Sequence, residues 1–444
     1  MDTPSTSGAV TLFGKEDNGF VHRIPALLYI QQPPTFLAFA EKRSSPRDQD
    51  ALFIVMRRGV EQNGVLHWGK VEELKGIGMK NNRTMNPCPV YDKETKELFL
   101  FFNCIPEGVS ESDMKTWGNQ SKMCYVTSRD YGKTWSRVKN ITGATIDINK
   151  LATVFVAPGH GIQTRHLECW DLIIPAYVYV AGSWDTQLKG VKAHSFYLYS
   201  KDHGNSWRVS ERIICYETGE CELAEITGNH GELMLYCNAR STCGKRIEAQ
   251  AEIGGTFASA NESTTLPEYG GGCMGSVVSF PGKGQEGTHR LLYSHPTKEE
   301  RNDLGIYLNR MDSKPWSDPK IIYEGPSAYS DLAYCQETND GCSGSVVSFP
   351  GEEVPGQERS HWVLFSHPSK KERRGLGIYL NKTPMVSGSW SKPWVIYEGP
   401  SAYSDLADCQ DANTFAILFE SGEKTPYEEI NFCLFTLEDV LEHI

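Results

Sequence analysis

Apolar residues in this chain come in short runs set between turn residues, among them ALLYI, TFLAFAE, ALFIVMRRG, ELFLFFNC, MCYVTS, TVFVAPG, DLIIPAYVYV, SFYLYS, ELMLYCNAR, RLLYSHP and AILFE. Each run is about four to nine residues long and bounded by Gly, Pro, Asn or Asp, the pattern of strands joined by tight turns. Helical periodicity is nearly absent until LEDVLEHI at the end, which reads as one short helix. The pattern predicts an antiparallel meander. Such a meander must close on itself or expose its edges, and radial repetition of four-stranded sheets is one way to close it.

Two internal repeats refine this picture. Ser128–Trp135 and Ser200–Trp207 both follow S-x-D-x-G-x-[TS]-W directly after a strand. This is a hairpin turn in which Ser and Asp bond local backbone, Gly takes a positive φ and Trp packs beneath; a structural turn therefore outweighs metal binding or catalysis for these aspartates. A degenerate third copy at Ala251–Phe257 keeps Gly255 and Phe257 without the Asp. The longer repeat doubles a segment, 272–337 and again 341–410. GSVVSFPG at Gly275–Gly282 returns at Gly344–Gly351, and IYEGPSAYSDLA at Ile322–Ala333 returns unchanged at Ile396–Ala407. Nothing before Gly272 shares it, so one blade-sized segment is duplicated within a larger architecture.

Composition narrows the function classes. Among 444 residues, Gly 41, Pro 23, Tyr 20 and Trp 10 describe a turn-rich, aromatic-rich chain, which suits strands better than helical bundles. No Pro/Gly/Ser-rich linker divides it, so a single all-β domain over 1–444 is expected. A net charge of −12 argues against nucleic acid, which requires a basic surface. The start MDTPSTSGAVTLFGKEDNG has neither the basic nor the apolar stretch of a signal peptide, and no apolar run is long enough to span a bilayer. Synthesis in the cytosol is expected. The thirteen cysteines, odd in number and without CxxC pairs, read as reduced thiols rather than a disulfide framework or zinc site. The sequons Asn82-Arg83-Thr84 and Asn140-Ile141-Thr142 are then unused.

Arg23 in HRIPALLYI, Arg43 in FAEKRSSPRD, Arg240 closing LYCNAR, and Arg301 or Arg373 in the duplicated HP-x-K segments all lie at strand ends. Taken singly they are ordinary solvated arginines. Converging on one axis, their guanidinium forks would grip a carboxylate. Asp48 lies in a Pro-containing loop, suited to a general acid and equally to an exposed turn. Glu225 in CELAEITG has apolar neighbours, so burial would raise its pKa, although a paired structural Glu reads the same way. Tyr403 and its double Tyr329, in SAYSDLA, read by default as packing tyrosines.

Together these motifs resemble one family. HRIPALLYI, FLAFAEKR, RTMNPCPV, LIIPAYVY, the S-x-D-x-G-x-[TS]-W turns, AEI, NARS, GSVVSFP, SHP, DLGIYLN and AYSDLA are similar, in order and over nearly the whole chain, to the animal sialidases. The likeness is nearest to the plasma-membrane-associated branch that acts on gangliosides, with a cytosolic branch as the near alternative. The resemblance implies a six-bladed β-propeller of four-stranded antiparallel sheets; the doubled segment reads as extruded, because an added blade would change the angles at which the arginines meet, with a seven-bladed ring as the alternative. It implies an exo-α-sialidase acting on sialylated glycolipids or glycans, with peripheral membrane association and no metal or cofactor. Arg23, Arg240 and one of Arg301 or Arg373 would hold the sialic acid carboxylate. Asp48 would be the acid or base at the leaving group, and Tyr403 or Tyr329 the nucleophile activated by Glu225, with Tyr403 favoured. Glu420 would hold Arg23, while Arg43, Asn86, Glu111, Tyr177 and Tyr179 would line the pocket. A neutral tyrosine avoids the repulsion that a carboxylate nucleophile would meet beside the substrate's own carboxylate. The competing reading is a sialic-acid-binding or protein-interaction propeller without catalysis, since fold alone does not fix function.

Overall fold

In the computed structural model of the chain, the short apolar runs are strands that pair antiparallel with their neighbours in sequence. The structure describes residues 11–62, 65–145, 151–166, 169–180, 191–213, 215–228, 232–257, 260–269, 271–281, 289–309, 316–334, 346–350, 361–370, 374–383, 389–408, 414–421 and 429–443. The chain divides into two compact units, Met1–Glu61 with Leu66–Cys335, and Gln62–Val65 with Gln336–Ile444. The division at 335/336 falls just before the end of the first duplicated segment.

The first unit carries five sheets in chain order. β1 (Val21–Ile30), β2 (Thr35–Arg43), β3 (Ala51–Gln62) and β4 (Val65–Trp68) form the first, with β5 (Glu72–Glu73) on β3. β6 (Asn82–Asp92), β7 (Glu97–Pro106), β8 (Lys122–Ser128) and β9 (Lys139–Asn140) form the second. β10 (Leu151–Val156), β11 (Ile162–His166), β12 (Cys169–Val180), β13 (Lys192–Ser200) and β14 (Arg208–Val209) form the third, where β10 and β11 both pair with β12. β15 (Thr218–Thr227), β16 (Leu233–Ser241), β17 (Lys245–Ala251) and β18 (Asn261–Pro267) come next, then β19 (Ser276–Pro281), β20 (His289–Lys298), β21 (Asn302–Asn309) and β22 (Lys320–Pro326).

Each sheet packs on the next through side chains projecting from facing surfaces. Phe39, Ile54 and Met56 meet Leu98, Leu100 and Val126 between the first two sheets. Val90, Phe101 and Tyr125 meet Val154, Leu172 and Phe196 between the second and third. Ile173 and Tyr197 meet Leu223, Leu235 and Ile247, and Ala224 and Tyr236 meet Val277, Leu291 and Tyr293. Sheets covered on both faces lose the polar-out alternation, and β6 is buried along almost its whole length although its sequence, NRTMNPCPVYD, mixes polar and apolar residues. Each fully buried Leu or Phe contributes about 1.5–3 kcal/mol.

The second unit holds one six-stranded sheet, β23 (Val346–Pro350), β24 (His361–Lys370), β25 (Arg374–Asn381), β26 (Trp394–Asp408), β27 (Thr414–Ser421) and β28 (Glu429–Thr436), and ends in the expected helix, Leu437–His443. Thr436 caps that helix by accepting from the Asp439 N–H at 3.2 Å and donating to its carboxylate at 2.7 Å.

Both S-x-D-x-G-x-[TS]-W turns form as expected. Asp130 Oδ1 accepts from the Thr134 N–H at 2.8 Å, and Asp202 Oδ1 accepts from the Ser206 N–H at 2.8 Å. Gly132 and Gly204 both sit at φ 79°. Trp207 meets Phe101 edge-on at 4.8 Å. Helix α1 (Glu111–Trp117) was not legible in the periodicity: too short for a stripe, it is fixed by a capping box between Ser110 and Asp113.

Candidate active site

Backbone irregularity sets the geometry of the site. The first strand of four successive sheets shifts register once: β1 between Arg23 and Ala26, β6 between Met85 and Cys88, β10 between Leu151 and Thr153, and β15 between Thr218 and Cys221. A bulge turns a side chain out of the ladder and toward a site. Ile24 at φ 60° and Asn86 at φ 56° occupy the left-handed region inside two of these bulges, a strained setting for a β-branched residue such as Ile.

The β15 bulge presents Glu220, and the end of β16 presents Arg240. Arg240 Nη1 donates to both Glu220 oxygens, at 3.2 and 3.0 Å, and to the Tyr329 hydroxyl oxygen at 3.0 Å; its Nη2 donates to Gly271 O at 2.9 Å. The Tyr329 hydroxyl in turn donates to Glu220 Oε1 at 2.5 Å. Arg23 and Arg301 flank the same ring, each guanidinium 6.0 Å from its centroid. Arg301 Nη2 is held by Gly272 O at 2.7 Å. Burial, reinforced by the Glu220 charge, pushes the Tyr329 phenol well above its ordinary range, against the opposing pull of Arg240. The hydroxyl is therefore neutral until a base removes its proton.

Around this centre lie most of the other expected residues. Buried Arg43 donates to Glu41 Oε2 through Nε at 2.8 Å and to Asp48 Oδ1 through Nη1 at 2.6 Å. Glu41 Oε1 accepts the Asn86 N–H at 2.7 Å, and burial raises the Glu41 pKa despite Arg43. Asp48 is 62% exposed at the rim, 3.6 Å from Arg23 Nη1. Burial also raises Tyr177 and Tyr179, with the charges of Glu220 and Glu111 adding to it; Glu111 rides on α1, whose Lys115 ammonium lies 3.6 Å from the Tyr179 ring centroid. Thus Arg23, Arg43, Asp48, Asn86, Glu111, Tyr177, Tyr179, Arg240, Arg301 and Tyr329 belong to one neighbourhood.

Glu225, read as the base, lies elsewhere. Its carboxylate accepts from Thr164 Oγ1 and faces His289 Nε2 at 3.3 Å. Burial would raise its pKa, but those two partners hold it below the ordinary value. The carboxylate that meets Tyr329 is Glu220, five residues earlier, and its sequence signal is the Gly219 that precedes it at a strand start, a mark of a bulge. Tyr403 falls in a register shift of β26 between Ser401 and Ser404. Its side chain, like that of Glu420, is not among those described, and Arg373 lies outside the described residues.

Two residues past Tyr329, Asp331 enters a buried cluster that sequence reasoning did not reach. Asp331 Oδ1 lies 2.7 Å from His160 Nδ1 and accepts from Ser276 Oγ at 2.9 Å, while Oδ2 accepts the Leu27 N–H at 2.5 Å. Glu222 completes the group, its Oε1 3.6 Å from His160 Nδ1. Burial and Asp331 raise Glu222 well above the carboxylate range. Burial would lower His160, but Asp331 and Glu222 outweigh it and push it up to about 9.

Antiparallel sheets packed in series, bringing three arginines and a carboxylate to one tyrosine, define an all-β protein with a site able to grip an anion and activate a tyrosine. Comparison with known proteins agrees. A BNR repeat-like domain matches residues 35–342. Sialidase-3 of Mus musculus is 38% identical over 447 residues, covering 99% of this chain and 97% of that protein. Sialidase-4 of Homo sapiens is 36% identical over 475 residues, covering 100% and 96%. Among solved structures, the Hadza microbial sialidase Hz136 superposes with a TM-score of 0.54 at 18% identity, over 94% of this chain and 66% of that one, a likeness of fold. The chain belongs to the animal sialidase (neuraminidase) family.

Proposed function

We propose that the protein is an exo-α-sialidase that releases terminal sialic acid from gangliosides and other sialoglycoconjugates with retention of configuration, on a six-bladed propeller, using Tyr329 as nucleophile. The observation that carries this reading is the Tyr329 hydroxyl held between Glu220 and Arg240 with Arg23 and Arg301 beside its ring.

Arg23, Arg240 and Arg301 bind the substrate carboxylate, which sits on the anomeric carbon and so fixes that carbon over Tyr329. The Tyr329 oxygen attacks the anomeric carbon while Glu220 takes the phenol proton. The glycosidic bond breaks, and Asp48 gives its proton to the departing oxygen. In the second half Asp48 takes a proton from water, the water oxygen replaces the tyrosyl oxygen at the anomeric carbon, and Glu220 returns the proton to Tyr329. Two displacements at one carbon leave its configuration unchanged. Arg240 steadies the phenolate as it forms, and Arg43 orients Asp48 through its 2.6 Å bond. Asn86, Glu111, Tyr177 and Tyr179 shape the remainder of the pocket for the N-acyl and glycerol groups.

Among the described residues no helix is long and apolar enough to cross a membrane. Access to a ganglioside at a bilayer is peripheral in this proposal. Trp117, 80% exposed at the end of the helix that carries Glu111, offers an amphipathic ring of the kind that settles at an interface.

Turnover of a fluorogenic sialoside is the test. Tyr329→Phe abolishes it while Tyr403→Phe retains it. Full turnover in Tyr329→Phe, or loss only in Tyr403→Phe, overturns the assignment to the first copy, and undiminished turnover in the double variant removes tyrosine from the chemistry.

A further inference from the structure

We infer that His160, Glu222 and Asp331 form a binding site for one divalent cation of the zinc or manganese type, apart from the reacting groups of the sugar pocket. One imidazole nitrogen and two carboxylate oxygens lie within 4.8 Å of one another. Ligands at about 2.0–2.1 Å from a tetrahedral ion are about 3.3 Å from each other. The measured separations from His160 Nδ1, 2.7 Å to Asp331 Oδ1 and 3.6 Å to Glu222 Oε1, bracket that spacing, so small side-chain adjustments complete three corners of a coordination shell.

The second observation is an orphaned oxygen. The Glu222 side chain is fully buried. Its Oε2 accepts the Val277 N–H at 2.7 Å, yet its Oε1 has no hydrogen-bond partner among the described residues. The positive group that faces this oxygen, His160 Nδ1, is 3.6 Å away, too far for a hydrogen bond, and a cation binds by displacing the imidazole and carboxyl protons. The backbone makes room for that oxygen: Gly159 lies at φ 111°, and a β-carbon there would collide with Glu222 Oε1. Asp331 is already aimed by Ser276 Oγ and the Leu27 N–H, the outer-shell support typical of a carboxylate ligand.

One nitrogen and two oxygens suit zinc or manganese better than calcium, which prefers six or more oxygens. A cation here joins the turn after β10, strand β15 and the segment two residues past Tyr329, so it would fix the tyrosine's approach.

The experiment uses the full chain, stripped with chelator and titrated with Zn²⁺ or Mn²⁺ by calorimetry, with melting followed in parallel. One cation per chain and a rise in Tm are expected, and Glu222→Gln, the same shape without the charge, weakens binding at least about tenfold. Because exposed Cys215 and Cys243 could take up zinc, Co²⁺ loaded into the wild-type chain provides a check that needs no variant: d–d bands of a nitrogen–oxygen site are expected, without thiolate charge transfer. Absence of uptake by the stripped wild type, equal affinity in a folded Glu222→Gln, or thiolate bands with cobalt would each overturn the proposal.

Discussion

Replacing Glu220 by Gln removes the proton acceptor of Tyr329 and almost nothing else. The side chain keeps its volume and one carbonyl oxygen that still accepts from Arg240 and from the phenol. The Tyr329 phenol is raised by burial, so at neutral pH it does not ionise unaided, and an amide oxygen in place of Glu220 Oε1 accepts the hydrogen bond without taking up the proton that attack releases. A positioned base contributes about 10²- to 10⁴-fold, which is about 2.7–5.4 kcal/mol of barrier at 1.36 kcal/mol per factor of ten. Glu220→Gln is therefore expected to lower kcat by at least about a hundredfold with a smaller change in KM. Glu225→Gln is the matched control, because its partners Thr164 and His289 lie away from the tyrosine; its turnover stays within about threefold once corrected for folded fraction. Both are assayed on a fluorogenic sialoside across pH, with circular dichroism confirming the fold. Wild-type turnover in a folded Glu220→Gln, or a hundredfold loss in a folded Glu225→Gln, would refute the reasoning and return the base to the later carboxylate.

The same geometry makes three further outcomes testable. Arg240→Lys loses the fork that reaches Glu220, Tyr329 and Gly271 together, and kcat/KM is expected to fall at least about tenfold, since a point charge cannot replace three directed donors; unchanged kcat/KM would exclude Arg240 from the pocket. Glu268 is buried between Arg246 Nη1 at 2.6 Å and His295 Nε2 at 3.1 Å. Burial would raise its pKa, but Arg246 and His295 outweigh it and hold it at about 2. A carboxylate depressed in the folded state stabilises above its unfolded pKa near 4.3 and loses that contribution as pH falls toward 2, on the order of 3 kcal/mol here. Glu268→Gln thus lowers Tm at pH 7 and flattens its fall between about pH 5 and 2, and an unchanged acid limb in the variant would disprove this linkage. Asp130→Ala removes the acceptor of the Thr134 N–H and hydroxyl, costing about 1–3 kcal/mol with turnover per folded molecule unchanged; a selective loss of turnover would make the turn functional.

The strands and the two Asp turns were legible because local rules decide them: alternation and boundary residues for the strands, a Ser-Asp-Gly-Trp spacing for the turns. The arginines were legible as strand-end residues, and Asp48 and Asn86 through family resemblance. Glu220 was not. The segment GECELAEIT offers three carboxylates, and strand alternation sets Glu220 and Glu225 on opposite faces unless a bulge intervenes. The bulge between Thr218 and Cys221 is a tertiary outcome with only Gly219 to announce it, and burial alone pointed to Glu225, whose carboxylate meets Thr164 and His289 rather than Tyr329. Asp331 and His160 escaped for a different reason. They are 171 positions apart in sequence, and nothing local in APGHG or YSDL shows that they meet.

The duplicated words carry the same point to the backbone. IYEGPSAYSDLA occurs twice without a change, yet its two copies adopt different structures. At Ile322–Ala333 the strand β22 stops at Pro326, and the remainder, anchored by the Ser327 N–H on Arg301 O at 2.7 Å and by Asp331, delivers Tyr329 to Arg240 and Glu220. At Ile396–Ala407 the whole word lies inside β26, paired with β25 on one side and β27 on the other. Intrinsic propensity cannot distinguish identical residues, so the difference arises in the chain downstream of each copy. AILFE supplies β27 as a partner for the second copy, whereas the first copy runs into the start of the next repeat. Strand state here is a property of the pairing partner. A short segment outside any ladder is free to turn its polar groups to the site. Among the described residues, the tyrosine that meets Arg240 belongs to the copy whose strand ends at Pro326.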